Sequence, residues 1–201
     1  MTRAALFCLA FLAGCTVVAP RPASTPDTHD ATWQARQLAL QGLSHWTLEG
    51  RLAVQHGQEG AQARIHWAQT GTDFELRIIA PLSQGTYVLR GGPHGVALIA
   101  PDNQVYRAPD LATLMTTHLH WALPVAGARY WVLGIPDPTQ PVDNLRLDVQ
   151  GRLSDLAQAG WRVSILDYQT SAGRDLPRKL FILRKDVQLR LVITQWALAL
   201  N

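Results

Sequence analysis

Apolar and polar residues alternate with period two along much of the chain. In Leu48 to Gln55, Leu48, Gly50, Leu52 and Val54 share one side, and Glu49, Arg51 and Gln55 the other. In Ala61 to Gln69, Ala63, Ile65 and Trp67 oppose Gln62, Arg64 and His66. In Phe74 to Ala80, Phe74, Leu76 and Ile78 oppose Glu75 and Arg77. Each segment predicts a strand with one dry face and one wet face. Gly57-Gln58-Glu59-Gly60 and Thr70-Gly71-Thr72-Asp73 separate them, and links this short predict antiparallel hairpins rather than crossovers. Further strands are predicted at Thr86 to Gly91, Val96 to Ala100 and Gln104 to Ala108. Others follow at Leu145 to Gln150, Arg152 to Gln158, Trp161 to Gln169, Pro177 to Arg184 and Gln188 to Leu198, about eleven in all.

Helical spacing appears in three places. Asp30 can cap a helix over Ala31 to Gln41, closed by Gly42, with Trp33, Leu38 and Leu40 as its apolar side. Pro109-Asp110 opens a second that runs to about Leu119, with Leu111, Leu114, Met115 and Leu119 together. Pro124 opens a third, ending near Leu133, where Gly134 and Pro136 stop it; Val125, Ala128, Trp131 and Val132 form its apolar face. The pattern predicts a β-dominated α+β fold. Its sheet has one continuous apolar face, which three helices can cover only in part.

The first 29 residues follow other rules. Met1-Thr2-Arg3 is a short positive start, and Ala4 to Ala13 is an apolar run of ten residues. A membrane-spanning helix needs about 20, so the length fits the core of an export signal. The run ends in Leu12-Ala13-Gly14-Cys15, which resembles the bacterial lipoprotein box. That resemblance implies cleavage after residue 14 and acylation of Cys15. Each buried CH2 contributes roughly 0.8 kcal/mol, so a sixteen-carbon chain contributes about 12 kcal/mol. Thr16 stands where enterobacterial lipoproteins retained at the inner membrane carry Asp, which implies the outer membrane, periplasmic face. Residues 15–29 contain Pro20, Pro22 and Pro26 and no apolar period, and read as a flexible tether. Residues 30–201 form the folded domain.

The 187 residues left after cleavage suffice for one domain with a sizeable core. Charged residues are only 16% and apolar ones 47%, which argues against disorder. Loss of Arg3 lowers the net charge from +3 to +2, and no dense Lys/Arg cluster marks a nucleic-acid partner. Cys8 and Cys15 are the only cysteines, so no internal disulfide is expected in the mature chain. No Gly-x-Ser-x-Gly elbow, His-Glu-x-x-His or Cys-x-x-Cys occurs, and the six serines sit in tether, turn or strand contexts. Gly91-Gly92-Pro93-His94-Gly95 lacks the Gly-Lys-Ser/Thr of a phosphate loop and reads as a turn. His118-x-His120 falls at a helix end, where a spacing of two points the side chains apart. No cofactor, metal or catalytic residue is expected.

Several segments, in order, resemble the LolA/LolB family of lipoprotein carriers and receptors. They are Gly50-Arg51-Leu52-Ala53-Val54, Ile65-His66-Trp67-Ala68-Gln69-Thr70-Gly71 and Leu76-Arg77-Ile78-Ile79-Ala80-Pro81-Leu82. Next come Leu123-Pro124-Val125, Tyr130-Trp131-Val132-Leu133-Gly134-Ile135-Pro136 and Gly160-Trp161-Arg162-Val163. Leu176-Pro177-Arg178-Lys179-Leu180 and Ile193-Thr194-Gln195-Trp196 complete the set. The resemblance implies an incomplete antiparallel β-barrel of about eleven strands, with helices covering an apolar cavity. It implies an outer-membrane receptor of the LolB type. Such a receptor takes acyl chains of client lipoproteins from a LolA-like periplasmic carrier and inserts them into outer-membrane lipid. A monomer is expected.

Candidate cavity residues are Ile65, Trp67, Leu76, Ile78, Trp131, Val163, Ile165, Leu180, Ile182 and Trp196. Each is equally a plain core residue, because period two says which residues share a face and not which face is concave. In the family the loop matching Pro81, Leu82 and Ser83 protrudes, and its apolar tip, here Leu82, is implicated in membrane delivery. Ser83 stands where relatives often have Gly. A structural or assembly lipoprotein that uses its sheet to bind protein is the alternative reading. A membrane-anchored hydrolase is a third, and it needs a nucleophile or metal cluster that the sequence does not display.

Overall fold

The computed structural model describes residues 28–81, 85–118 and 125–199. Helix α1 (Thr28–Gln41) leads into a run of six strands: β1 (His45–His56), β2 (Glu59–Thr70), β3 (Asp73–Ile79), β4 (Thr86–Gly92), β5 (Gly95–Ile99) and β6 (Val105–Ala108). Helices α2 (Leu111–His118) and α3 (Val125–Trp131) cross over to five more: β7 (Val142–Leu147), β8 (Leu153–Gln158), β9 (Trp161–Ser171), β10 (Arg174–Arg184) and β11 (Val187–Leu198). The strands form one open antiparallel sheet in the order β6-β5-β4-β3-β2-β1-β11-β10-β9-β8-β7. Two meanders are thus sewn together where β1 pairs with β11, from Trp46 opposite Leu198 to His56 opposite Val187.

Several bounds differ from those read in the sequence, each for a local reason. α1 begins at Thr28, inside the stretch read as tether. β10 begins at Arg174 instead of Pro177, because a register shift between Pro177 and Lys179 accommodates the proline. A bulge needs no ladder bond from the missing N–H. β7 spans Val142–Leu147 instead of Leu145 to Gln150. It stops because the Asp148 carboxylate accepts from the N–H of Gln150 and of Arg152, both at 2.9 Å, and folds the chain into a turn. α2 opens after Asp110, whose Oδ1 accepts from the Thr113 N–H at 2.8 Å. α3 stops at Trp131, two residues short of the reading. Gly134 N–H donates to Trp131 O and Ile135 N–H to Tyr130 O, the Schellman pair, with Gly134 at φ 79°.

The alternation is preserved in register. Trp67, Leu76, Leu89 and Leu98 sit directly opposite one another across β2 to β5, and all four are buried. The same inner face continues through Leu48 of β1, Leu191 and Ile193 of β11, Leu180 and Ile182 of β10, and Val163 and Ile165 of β9. Trp33 and Leu40 bring α1 onto this core, Leu114 brings α2, and Val125, Ala128 and Trp131 bring α3.

Candidate functional site

Under α3 lies a cavity of about 50 Å3 with a wholly apolar wall. The sheet side comes from Leu52 of β1, Ile65 and Trp67 of β2, Leu76 and Ile78 of β3, Ile182 of β10, and Leu189 and Leu191 of β11. Val125, Ala128 and Val132 form the roof. Their spacing of three and then four residues puts all three on one side of α3 and its last turn. A space without polar partners stays dry, and at roughly 30 Å3 per water it is small. Pockets that hold drug-sized ligands measure about 300–1,000 Å3. A long acyl chain therefore enters only if the roof moves.

The roof is fastened at one end. Trp131 Nε1 donates to Gln158 Oε1 at 2.9 Å, and the same oxygen accepts from the Asp137 N–H at 2.9 Å. Gln158 Nε2 donates to Asp137 O and Gln140 O, so this fully buried amide uses every donor and accepts twice. The Trp131 ring lies 6.4 Å from that of Trp161. Beside it, Arg129 donates to the Tyr130 hydroxyl at 2.7 Å, with its guanidinium 4.5 Å from the ring centre. The Val125 end of α3 has no such clamp among the described residues.

Five candidates from the sequence stand on the cavity wall: Ile65, Trp67, Leu76, Ile78 and Ile182. The other five are buried core away from it. Val163, Ile165 and Leu180 pack along the inner face. Trp131 is the clamp. Trp196 donates through Nε1 to Pro177 O at 3.2 Å and meets Trp46 edge-on at 5.5 Å. Sequence reasoning missed Leu52, Leu189 and Leu191, although all three sat on alternating faces. What was missing was the pairing of β1 with β11, which sets Leu191 opposite Leu52 and Leu189 opposite Val54 and so brings β11 to the same wall as Ile65.

A second space of about 280 Å3 opens between the end of α1, α3 and the start of β1, lined in part by Leu40, Leu43, Trp46, Tyr130 and Leu133. Trp46 lines this space and Trp67 lines the cavity, with ring centres 5.3 Å apart. α1 is held across the far strands. Arg36 donates to Asp175 O at 2.5 Å and stands 5.6 Å from the Tyr168 ring centre, while Arg152 covers that ring at 4.3 Å. Burial pushes the Tyr168 phenol well above its ordinary value, and its hydroxyl donates to Leu153 O at 2.7 Å.

Pro81 is exposed at the neck of the loop between β3 and β4, which the Ala80 N–H closes by donating to Gly85 O at 3.1 Å. Leu82, Ser83, Cys15 and His120 lie outside the described residues. His118 is the last residue of α2. Among the described residues no group of three His, Cys, Asp or Glu side chains is placed to hold a metal ion, and no helix is long and apolar enough to cross a membrane.

The structure of a LolA superfamily protein from Nitrosomonas europaea matches with a TM-score of 0.54 over 84% of this chain and 94% of that one, at 8% identity. That likeness is one of fold. The family model for outer membrane lipoprotein LolB matches residues 44–196. The outer-membrane lipoprotein LolB of Nitrosococcus oceani is 41% identical over 194 residues, 96% of this chain and 95% of that protein. That of Alkalilimnicola ehrlichii is 34% identical over 188 residues, 94% and 92% of the two chains. The chain belongs to the LolB family of outer-membrane lipoproteins.

Proposed function

We propose that the chain is an outer-membrane receptor that accepts acylated lipoproteins from a LolA-like periplasmic carrier and releases them into the inner leaflet of the outer membrane. The observation that carries this reading is the wholly apolar cavity beneath a helix that, among the described residues, is fastened at its Trp131 end only. Three acyl chains represent about 35 kcal/mol of hydrophobic burial by the per-CH2 figure, so a client cannot cross water uncovered. An apolar wall makes contacts without direction, and one site can therefore serve many clients.

In this reading the described state is the closed one, and the half-barrel opens as α3 swings at Val125 about the Trp131 clamp. The incoming chain replaces the contacts that Val125, Ala128 and Val132 make with the sheet. Cys15 carries the anchor, the chain from there to the start of α1 at Thr28 supplies the reach, and the periplasmic face of the outer membrane is the station. Leu82, the residue after Pro81, delivers the client to the bilayer. The sequence carries no phosphate loop, so transfer runs down a gradient of acyl-chain binding free energy.

The test is transfer of a labelled triacylated lipoprotein from a loaded carrier to the purified protein. Stoichiometric transfer without nucleotide supports the proposal. A client that stays on the carrier refutes it. The alternative, a structural lipoprotein whose sheet binds protein, is favoured by the small size of the void in the closed state, and the same experiment decides against one of the two.

A further inference from the structure

The outer face of β1 to β6 carries charge in a costly arrangement. Arg51 stands directly opposite Arg64. Like charges facing each other across a ladder are destabilising. Arg90 and Arg107 continue the band on β4 and β6, so five arginines share this face with Glu49, Asp73 and Glu75. Glu75 is taken up by Arg77 at 2.6 Å and Arg90 at 2.7 Å. Among the described residues, no carboxylate pairs with Arg51, Arg64 or Arg107.

Between these cations runs an aliphatic strip. Val88, Ile99 and Val105 lie in direct register on the outer side, and Ile79 stands in the next row. Ile79 and Val105 are each 43% exposed. The strip ends at exposed Pro81. The helices pack on the inner side, through Leu114 and the α3 residues, and no described element covers the outer one.

We infer that this outer face is a second membrane-contact surface, lying flat on a bilayer that contains anionic phospholipid. The aliphatic strip would enter the interface, and the arginines would reach the surrounding phosphates with their long stems over the apolar boundary. A strip of aliphatics with Arg64 beside Ile79 and Arg107 beside Val105 matches the depth order of a bilayer, apolar inward and phosphate outward. The chain before α1 suits this occupant: Cys15 precedes Thr28 by 13 residues, a reach of at most about 45 Å at full extension. The inference extends the receptor reading, and rests on it for the choice of a bilayer over a protein. If it holds, delivery involves a broad platform of sheet as well as a loop tip.

The test uses the full lipidated chain in vesicles, in which Cys8 has left with the signal and Cys15 is acylated, with single nitroxide labels at Ile79→Cys, Val105→Cys and, as control, Val149→Cys. Val149 is 87% exposed and sits in the β7–β8 turn. On phosphatidylcholine vesicles containing phosphatidylglycerol, the labels at 79 and 105 should be several-fold more accessible to oxygen, relative to a nickel chelate, than the label at 149. Arg64→Glu/Arg107→Glu, or omission of phosphatidylglycerol, should return them to the aqueous value. Three overturning results are open: labels at 79 and 105 as aqueous as 149, insertion indifferent to anionic lipid and to the arginines, or shielding only when the carrier is added. Client transfer from the carrier, measured without vesicles, should be unchanged in the arginine variant. A failure there strikes the receptor reading, and a failure of the labels strikes only the platform.

Discussion

The indole N–H of Trp131 ends on the side-chain oxygen of Gln158, 2.9 Å away and 27 residues along the chain. That bond joins the end of the roof helix to the end of β8. It lies in a fully buried network with Asp137 and Gln140, and so fixes where α3 stops without fixing where it starts.

Gln158→Leu keeps the volume and removes every partner. It strands the Trp131 and Asp137 N–H groups and two carbonyls. Each buried orphan costs about 1–3 kcal/mol, some of it recovered by relaxation. A loss of about 3–5 kcal/mol is expected overall, read as a lower urea midpoint at an unchanged m-value. A loss below about 1 kcal/mol would mean that the network is not a clamp.

Ala128 faces the cavity from the middle of the roof. Ala128→Leu adds three carbon atoms where about 50 Å3 is free. Overpacking typically costs about 1–3 kcal/mol, so the domain should still fold by circular dichroism. Acyl-probe affinity should fall at least tenfold (about 1.4 kcal/mol) because the space the chain needs is filled. Unchanged affinity would place the site elsewhere.

Leu82→Glu puts a charge where the proposed delivery loop meets the bilayer. Carrier-to-receptor transfer and thermal stability should match the parent, while release of client into vesicles should be lost. Normal release would refute the loop's role.

Glu75 gives a pH signature. The hydrogen bond from Arg77 is the chief reason its carboxyl titrates below the ordinary glutamate value; slight burial opposes this, and Arg90 adds to it. A carboxyl depressed in the folded state contributes stability that is present above the unfolded pKa and lost as pH falls through the folded one. The contribution is less than about 1 kcal/mol for so exposed a cluster. Glu75→Gln should therefore reduce stability at neutral pH and flatten its fall below about pH 4. Equal slopes for the two proteins in acid would contradict the assignment.

Local alternation carries most of this fold. The strands around Leu48, Ile65, Leu76 and Val163 were readable because each alternates cleanly and ends at Gly-containing turns. Their bounds failed where a side chain overrules the period. Asp148 captures two backbone N–H groups and ends β7 early, and Pro177 is absorbed in a bulge that the sequence does not announce. The site was only half legible. Ile65 and Ile182 belong to its wall, but Leu52 and Leu191 were passed over because their place depends on β1 meeting β11 from the other end of the chain. The same pairing gives Gly50 its necessity: a Cβ there would stand 2.5 Å from Val192 O. Period two reports a face; only long-range pairing reports a concavity.

The central claim is most directly tested by titrating the purified protein, freed of its own acyl anchor, with a fluorescent fatty acyl probe. The account predicts saturable binding at one site, weakened at least tenfold by Ala128→Leu and accompanied by loss of protection in amide exchange over Val125 to Trp131 as the roof lifts. Absence of saturable binding, with α3 as protected as in the free protein, would contradict it.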